Sequence, residues 1–148
     1  MRSSEFMAAL PAAVQHYLGQ EIRLQRGRLW PWGVQFYVDD PRFHYEVSRA
    51  PLRLGDRLEL ALHFESRNPA DNRALLASFD ERLVEIKANL GDGAVAELWD
   101  RGWAKVYETV LLEPYDEVFL HKIAERMAGI VRVLHPIYLV VNHGAKKT

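Results

Sequence analysis

Two tripeptides near the middle of the chain, His44-Tyr45-Glu46 and His63-Phe64-Glu65, share one form: imidazole, ring, carboxylate. Residues two apart on a β-strand point to the same face, so each tripeptide would present a nitrogen base and a carboxylate side by side. That combination is the donor set of zinc and related divalent-cation sites, and also an acid–base couple of the kind hydrolases use. The four groups can act together only if their strands are neighbours.

The alternation around them predicts that they are. Leu58, Leu60, Leu62 and Phe64 face one way, while Arg57, Glu59, Ala61, His63 and Glu65 face the other. Phe43, Tyr45 and Val47 alternate with His44, Glu46 and Ser48, and Val34, Phe36 and Val38 alternate with Gln35, Tyr37 and Asp39. Apolar faces must meet apolar faces, because a slip of one residue turns every side chain over. With a short loop over 52–55, Phe43 falls opposite Phe64, Tyr45 opposite Leu62 and His44 opposite His63. Across the preceding turn, Tyr37 comes beside His44 and Gln35 beside Glu46. His44, His63, Glu46, Glu65, Tyr37 and Gln35 are therefore the candidate ligand-binding set, with His44 and His63 the candidate metal ligands. A sheet with one apolar face also needs polar residues on its other face whether or not anything binds there. A solvated face, a cation site and a metal-free pocket all remain open, and no residue pattern requires a cofactor.

Other features carry weaker chemistry. Trp30-Pro31-Trp32 can form a ring platform for a peptide or a base, or close one end of the core. Arg23, Arg26 and Arg28, followed by Arg42, Arg49, Arg53 and Arg57, allow a phosphate groove. Glu46, Glu59 and Glu65 are interleaved among them, which favours a mixed solvated face. Glu85-Ile86-Lys87 matches a fragment of metal-dependent nucleases, but its periodicity is helical, and residues two apart on a helix diverge. There is no glycine-rich phosphate loop, no Gly-x-Ser-x-Gly elbow and no His-Glu-x-x-His.

The remaining elements complete an α+β domain. A short helix is expected over Leu10–Leu18 and a first strand over Glu21–Leu29, bulged near Gly27. Asn68-Pro69 opens a helix whose stripe is Leu75, Phe79, Leu83, Ile86 and Leu90, ended by Gly91. Residues 92–99 read as a short helix or loop, and Trp103–Glu113 as a fifth strand. A second long helix spans Asp116–His135, with Pro136 barring easy continuation. Ile137–Val141 then suits an edge strand or a partner surface. The expected architecture is a twisted antiparallel meander of about five strands with two long helices on one face. Glu5-Phe6 is what an in-frame EcoRI site encodes, so residues 1–6 read as a cloning remnant. The domain is expected over 7–141, with a flexible tail over 142–148.

The 148 residues suit one domain, and nineteen basic residues nearly balance twenty acidic ones. Such a balance provides no global field for nucleic acid, yet leaves a local basic patch open. No cysteine is present, which excludes thiolate sites and disulfides. With no membrane-length apolar run and no leader, a cytoplasmic protein without membrane contact is expected.

The segments LELALHFESRNPADNRALLASF, LG and WAKVYET, within about residues 57–112, resemble uncharacterised bacterial α+β domains, some found near restriction and nuclease systems. The element order is also similar to secretion-chaperone-like folds, which implies dimers that bind peptides. Two functions follow as expectations. One is a non-catalytic binding or regulatory module that self-associates, motivated by the tryptophans, the short helix and the apolar C-terminal run, with a protein or peptide partner. The other is a metal-assisted hydrolase or nuclease-related domain working on the polar sheet face.

Overall fold

The computed structural model describes the backbone of residues 1–146 and the side chains of residues 1–142. It is an α+β fold built on one six-stranded antiparallel sheet. The strands are β1 (Gln25–Trp30), β2 (Gly33–Tyr37), β3 (Phe43–Arg49), β4 (Arg57–Phe64), β5 (Val95–Leu98) and β6 (Ala104–Leu111). Their order across the sheet is β1-β2-β3-β4-β6-β5. The helices are α1 (Ser3–Leu18), α2 (Pro69–Glu81), α3 (Leu83–Leu90) and α4 (Glu117–Lys146).

The meander has the register that its alternation demands. Phe43 pairs with Phe64, His44 with His63, Tyr45 with Leu62 and Val47 with Leu60, while Gln35 pairs with Glu46. One face is apolar: Phe36, Val47, Leu60 and Phe64 are fully buried with Phe79, Phe119, Met127 and Leu134 from the helices. Phe64 meets Phe79 of α2 at 5.2 Å between ring centroids, which ties the central strand to the helical layer. The β1–β2 register shifts between Arg26 and Leu29, so the bulge expected at Gly27 is present. A Cβ at Gly27 would stand 3.1 Å from both the Cβ and the carbonyl oxygen of Gln35, a close approach that glycine permits.

Several expectations are corrected. A sixth strand, β5, occupies part of the segment read as helix or loop, pairing Glu97 with Lys105 and Val95 with Tyr107. Four residues at a sheet edge are too few to show a reliable period. The single helix after Asn68 is two: the Asn68 side chain accepts from the Ala70 amide as a cap, but Arg82, at φ −100° and ψ 11°, breaks the helix. The stripe nevertheless continues across the break, with Leu75, Phe79 and Ile86 buried.

Helix α4 does not stop at Pro136, which lies inside it. Ile137 and Tyr138 are buried, and the Tyr138 ring packs 5.6 Å from Phe43. Burial of these side chains outweighs the one backbone hydrogen bond that proline forgoes. The run over 137–141 is therefore helical rather than an edge strand, and the residues expected as a tail continue α4 as far as Lys146. Residues 147–148 lie outside the described part.

Residues 3–6, expected as part of a cloning remnant, form the first turn of α1. Phe6 is fully buried, stacked 5.4 Å from Phe119 and tilted 4.8 Å from Tyr115. Met7, Leu10, Val14 and Leu18 continue its buried stripe against α4 and the β1–β2 side of the sheet. Gln15 secures the exit from α1: its side-chain amide donates to the carbonyls of Gly19 and Ile22, and its oxygen accepts from the Leu24 amide, all at 2.8 Å.

Because Phe6 fills the junction of α1 and α4, Phe6→Ala should cost about 3–5 kcal/mol, the range for emptying a buried aromatic site. Urea unfolding of the two proteins would measure it, and a difference under ~1 kcal/mol would show that the first turn does not belong to the folded unit.

Candidate metal and acid–base site

The polar face of the sheet is not a wet surface. His44, Glu46, Glu59, His63 and Lys105 are each exposed by less than a tenth. They lie on adjacent strands, β3, β4 and β6, where His63 pairs with His44 on one side and with Lys105 on the other. Aromatic side chains do the covering. Trp99 stands edge-on to His63 at 5.3 Å, and the Lys105 ammonium lies 4.4 Å from the ring centre of Tyr107.

The loop that carries Trp99 is fixed by Asn72, which is fully buried. Its oxygen accepts from the Ser66 amide, and its nitrogen donates to the carbonyls of Ser66 and Gly102. One side chain thus joins the end of β4, helix α2 and the loop before β6. Gly102 has φ +76°, and a Cβ there would come within 2.9 Å of Pro69, so glycine is required at this closure.

Each histidine is oriented from behind. His44 Nδ1 lies 2.9 Å from the Pro41 carbonyl oxygen, and His63 Nδ1 lies 2.9 Å from Glu65 Oε2. Both partners are acceptors, so in each ring Nδ1 carries the hydrogen, and Nε2 of the neutral ring carries the free lone pair. Both Nε2 atoms are buried without a hydrogen-bond partner. His44 Nε2 faces Glu46 Oε1 and Glu65 Oε2, each at 3.6 Å. His63 Nε2 faces Glu46 Oε2 at 3.7 Å and Glu59 Oε2 at 3.9 Å. These separations are too long for hydrogen bonds. They are close to the roughly 3.4 Å between two ligands of a tetrahedral zinc ion bound at ~2.0–2.1 Å.

The carboxylates are likewise held from outside. Gln35 donates to Glu46 Oε1 at 2.9 Å and Ser48 to Glu46 Oε2 at 3.0 Å. Lys105 pairs with Glu59 Oε1 at 2.7 Å, leaving Oε2 toward His63. Two overlapping sets can coordinate a cation, His44 with His63 and Glu65, and Glu46 with Glu59 and His63; in each, the ligand atoms lie within 4.8 Å of one another. His63 belongs to both. A hydrogen-bonded second shell that fixes the tautomer and the carboxylate orientation is characteristic of metal sites.

The site's charge has the same implication. Three carboxylates, Glu46, Glu59 and Glu65, surround the two imidazoles, and among the described residues one ammonium, that of Lys105 on Glu59, pairs with them, which leaves an excess of two negative charges. A divalent cation or two protonated imidazoles would neutralise it. Without a cation, protons respond. Burial opposes charge on His44, but the facing carboxylates of Glu46 and Glu65 raise its pKa above the usual 6.5. Burial likewise opposes charge on Glu46, yet His44, His63 and Gln35 hold it down at about 2.

Of the residues singled out in the sequence, His44, His63, Glu46, Glu65 and Gln35 come together, and Tyr37 lines the cleft beside His44 and Glu65. Trp30 and Trp32 do not close the core. Trp32 is 62% exposed, and the Trp30 ring lies over Gly33, outside the buried core. Glu85 and Lys87 lie on α3, so their nuclease-like spacing places them apart. Glu59, Lys105 and Trp99 were missed. Glu59 was assigned to the correct face by alternation, but its depth was not legible. Lys105 and Trp99 depend on the β4–β6 pairing, which no local pattern reveals. Compared with protein-family models, curated proteins and solved structures, the chain matches none of them.

The two shifts set a pH window for the cation-free protein. Glu46 has a lowered folded-state pKa, so its contribution is present above its ordinary 4.5 and is lost as pH falls toward 2. His44 has a raised one, so its contribution is present below its ordinary 6.5 and is lost as pH rises through the folded value. Melting temperature measured with a chelator should therefore peak between pH 4.5 and 6.5. His44→Gln should flatten the alkaline limb; an unchanged limb would refute the ion-pair geometry.

Proposed function

We propose that the protein is a divalent-cation-dependent hydrolase working from the buried polar face of its sheet. The observation that carries this reading is His63 Nε2: buried, unpartnered, and facing carboxylate oxygens of Glu46 and Glu59, while Glu65 fixes the ring through Nδ1. His63, Glu46 and Glu59 are the ligands, and Lys105 and Ser48 keep the two carboxylates in place. A cation held there supplies Lewis-acid polarisation of a scissile group or water.

His44 and Glu65 have a different part. They line an open cleft of about 430 Å³, whereas Glu46 and Glu59 are buried beside them. Their facing atoms are 3.6 Å apart, and the carboxylates of Glu46 and Glu65 raise the pKa of His44 against its burial. Glu65 takes a proton from the attacking water, and His44 donates one to the leaving group.

The expectation of a self-associating binding module has less support. The short helix and the apolar C-terminal run that motivated it are used within the chain: α1 packs on α4, and Ile137 and Tyr138 are buried.

Zinc or manganese at about a hundred times its dissociation constant should add about 2.7 kcal/mol of stability, a rise of roughly 5–10 °C in melting temperature. His63→Ala should abolish the rise. His44→Gln should keep it and lose hydrolysis by about a hundredfold or more. No thermal response of the wild type to zinc, manganese or cobalt would overturn the proposal, and so would an undiminished response in His63→Ala.

A further inference from the structure

We infer that the loop segment Trp99–Arg101 is a gate through which the cation reaches and leaves the buried set of His63, Glu46 and Glu59. The inference rests on the metal reading and concerns the regulation of that same site. The three residues are exposed by 2%, 9% and 5%, so a cation has to displace something to reach them. The outer cleft is lined by His44 and Glu65 but by none of the three. On that side the His44 ring, stacked 5.2 Å from His63, bars the way. On the β5 side the cover is the Trp99 ring. It stands edge-on to His63, and the Lys105 ammonium that pairs with Glu59 lies 5.3 Å from its centre.

Asn72 anchors this loop at its far end, through the Gly102 carbonyl, which leaves Trp99–Arg101 as the part able to swing. Asp100 and Arg101 are exposed, and Trp99 is half-buried. The closed position rests on a few contacts. The Trp99 amide donates to the Trp103 carbonyl at 2.8 Å, the Trp103 amide donates to the Asp100 carbonyl at 3.1 Å, and the two indole rings meet at 5.4 Å.

Two features of the closed loop work against these contacts. Trp99 Nε1 is buried with no hydrogen-bond partner among the described residues, so its N–H forgoes the water it would bond when exposed. Arg101 lies at φ +60° and ψ 23°, a left-handed conformation that is unfavourable for a residue with a Cβ. Among the described residues it is the one non-glycine with positive φ. An outward swing of Trp99–Arg101 hydrates the indole N–H and lets Arg101 relax, at the expense of the ring's contact with His63. Closing and opening are thus near balance, and strain of this kind collects in segments that switch. Once a cation is loaded, the closed ring keeps water from the inner ligands.

The test is the kinetics of cobalt exchange in the full chain, with loading followed by stopped-flow absorbance and release followed by transfer to excess chelator. Trp99→Ala removes the cover and should speed loading and release alike, each by at least tenfold. Its cobalt dissociation constant should stay within threefold of the wild type, because a gate changes both rates and not their ratio. Trp99→Phe keeps the cover, loses the unmet N–H and should exchange no faster than the wild type. If Trp99→Ala does not fold, Trp103→Ala removes the ring on which Trp99 leans and carries the same expectation. Unchanged rates would overturn the gate, as would exchange in Trp99→Phe as fast as in Trp99→Ala. Faster release with unchanged loading would overturn it too, since Trp99 would then merely support the ligands. No cobalt binding to the wild type would overturn the metal reading instead, so the two failures are distinguishable.

Discussion

The pairing of β3 with β4 is the constraint on which the site depends. It places His44 opposite His63, with ring centroids 5.2 Å apart, and it brings Glu46 within reach of both Nε2 atoms. A slip of one residue would turn the imidazole and carboxylate of one strand together into the apolar core and bring its aromatic residue out. The hydrophobic face therefore sets the chemistry of the opposite face. Leu60, Leu62 and Phe64 have to be buried against the helices, and every polar residue between them is aimed as a consequence.

Burying that many charges together is costly unless they are balanced. The fold provides part of the balance itself: Lys105 reaches Glu59, and Gln35 and Ser48 satisfy both oxygens of Glu46. The remainder is an excess of negative charge beside two imidazole nitrogens that bond to nothing in the chain. Such an arrangement takes up protons or a cation, and the outward hydrogen bonds of both Nδ1 atoms leave the inward nitrogens suited to the cation. Trp99, held in place through Asn72, restricts water at the inner end of this cluster, while the cleft admits it at the outer end beside Glu65.

The helical layer supplies the rigidity that such a site needs. Phe6 and Phe119 join α1 to α4, Phe79 joins α2 to β4, and Tyr138 joins the far part of α4 to Phe43 on β3. Both central strands are thus braced from the apolar side, directly beneath the histidines. Among the described residues, no helix is long and apolar enough to cross a membrane.

Two-residue periodicity is a local property, so the α+β class, the β2–β4 register, the His44–His63 juxtaposition, the Asn68 cap and the bulge near Gly27 could all be read from residue order. Whatever depends on a partner distant in sequence could not. β5 and the position of Lys105 exist only because β6 inserts beside β4, some forty residues further along the chain. The same holds for Pro136, where burial of Ile137 and Tyr138 overrides a local breaker, and for Phe6, whose role appears only when Phe119 arrives beneath it. Above all, alternation assigns a residue to a face but is silent on what covers that face. Only the tertiary structure, by laying Trp99 and its loop over the polar side, turned a row of charged residues into a buried cluster with unbonded imidazoles.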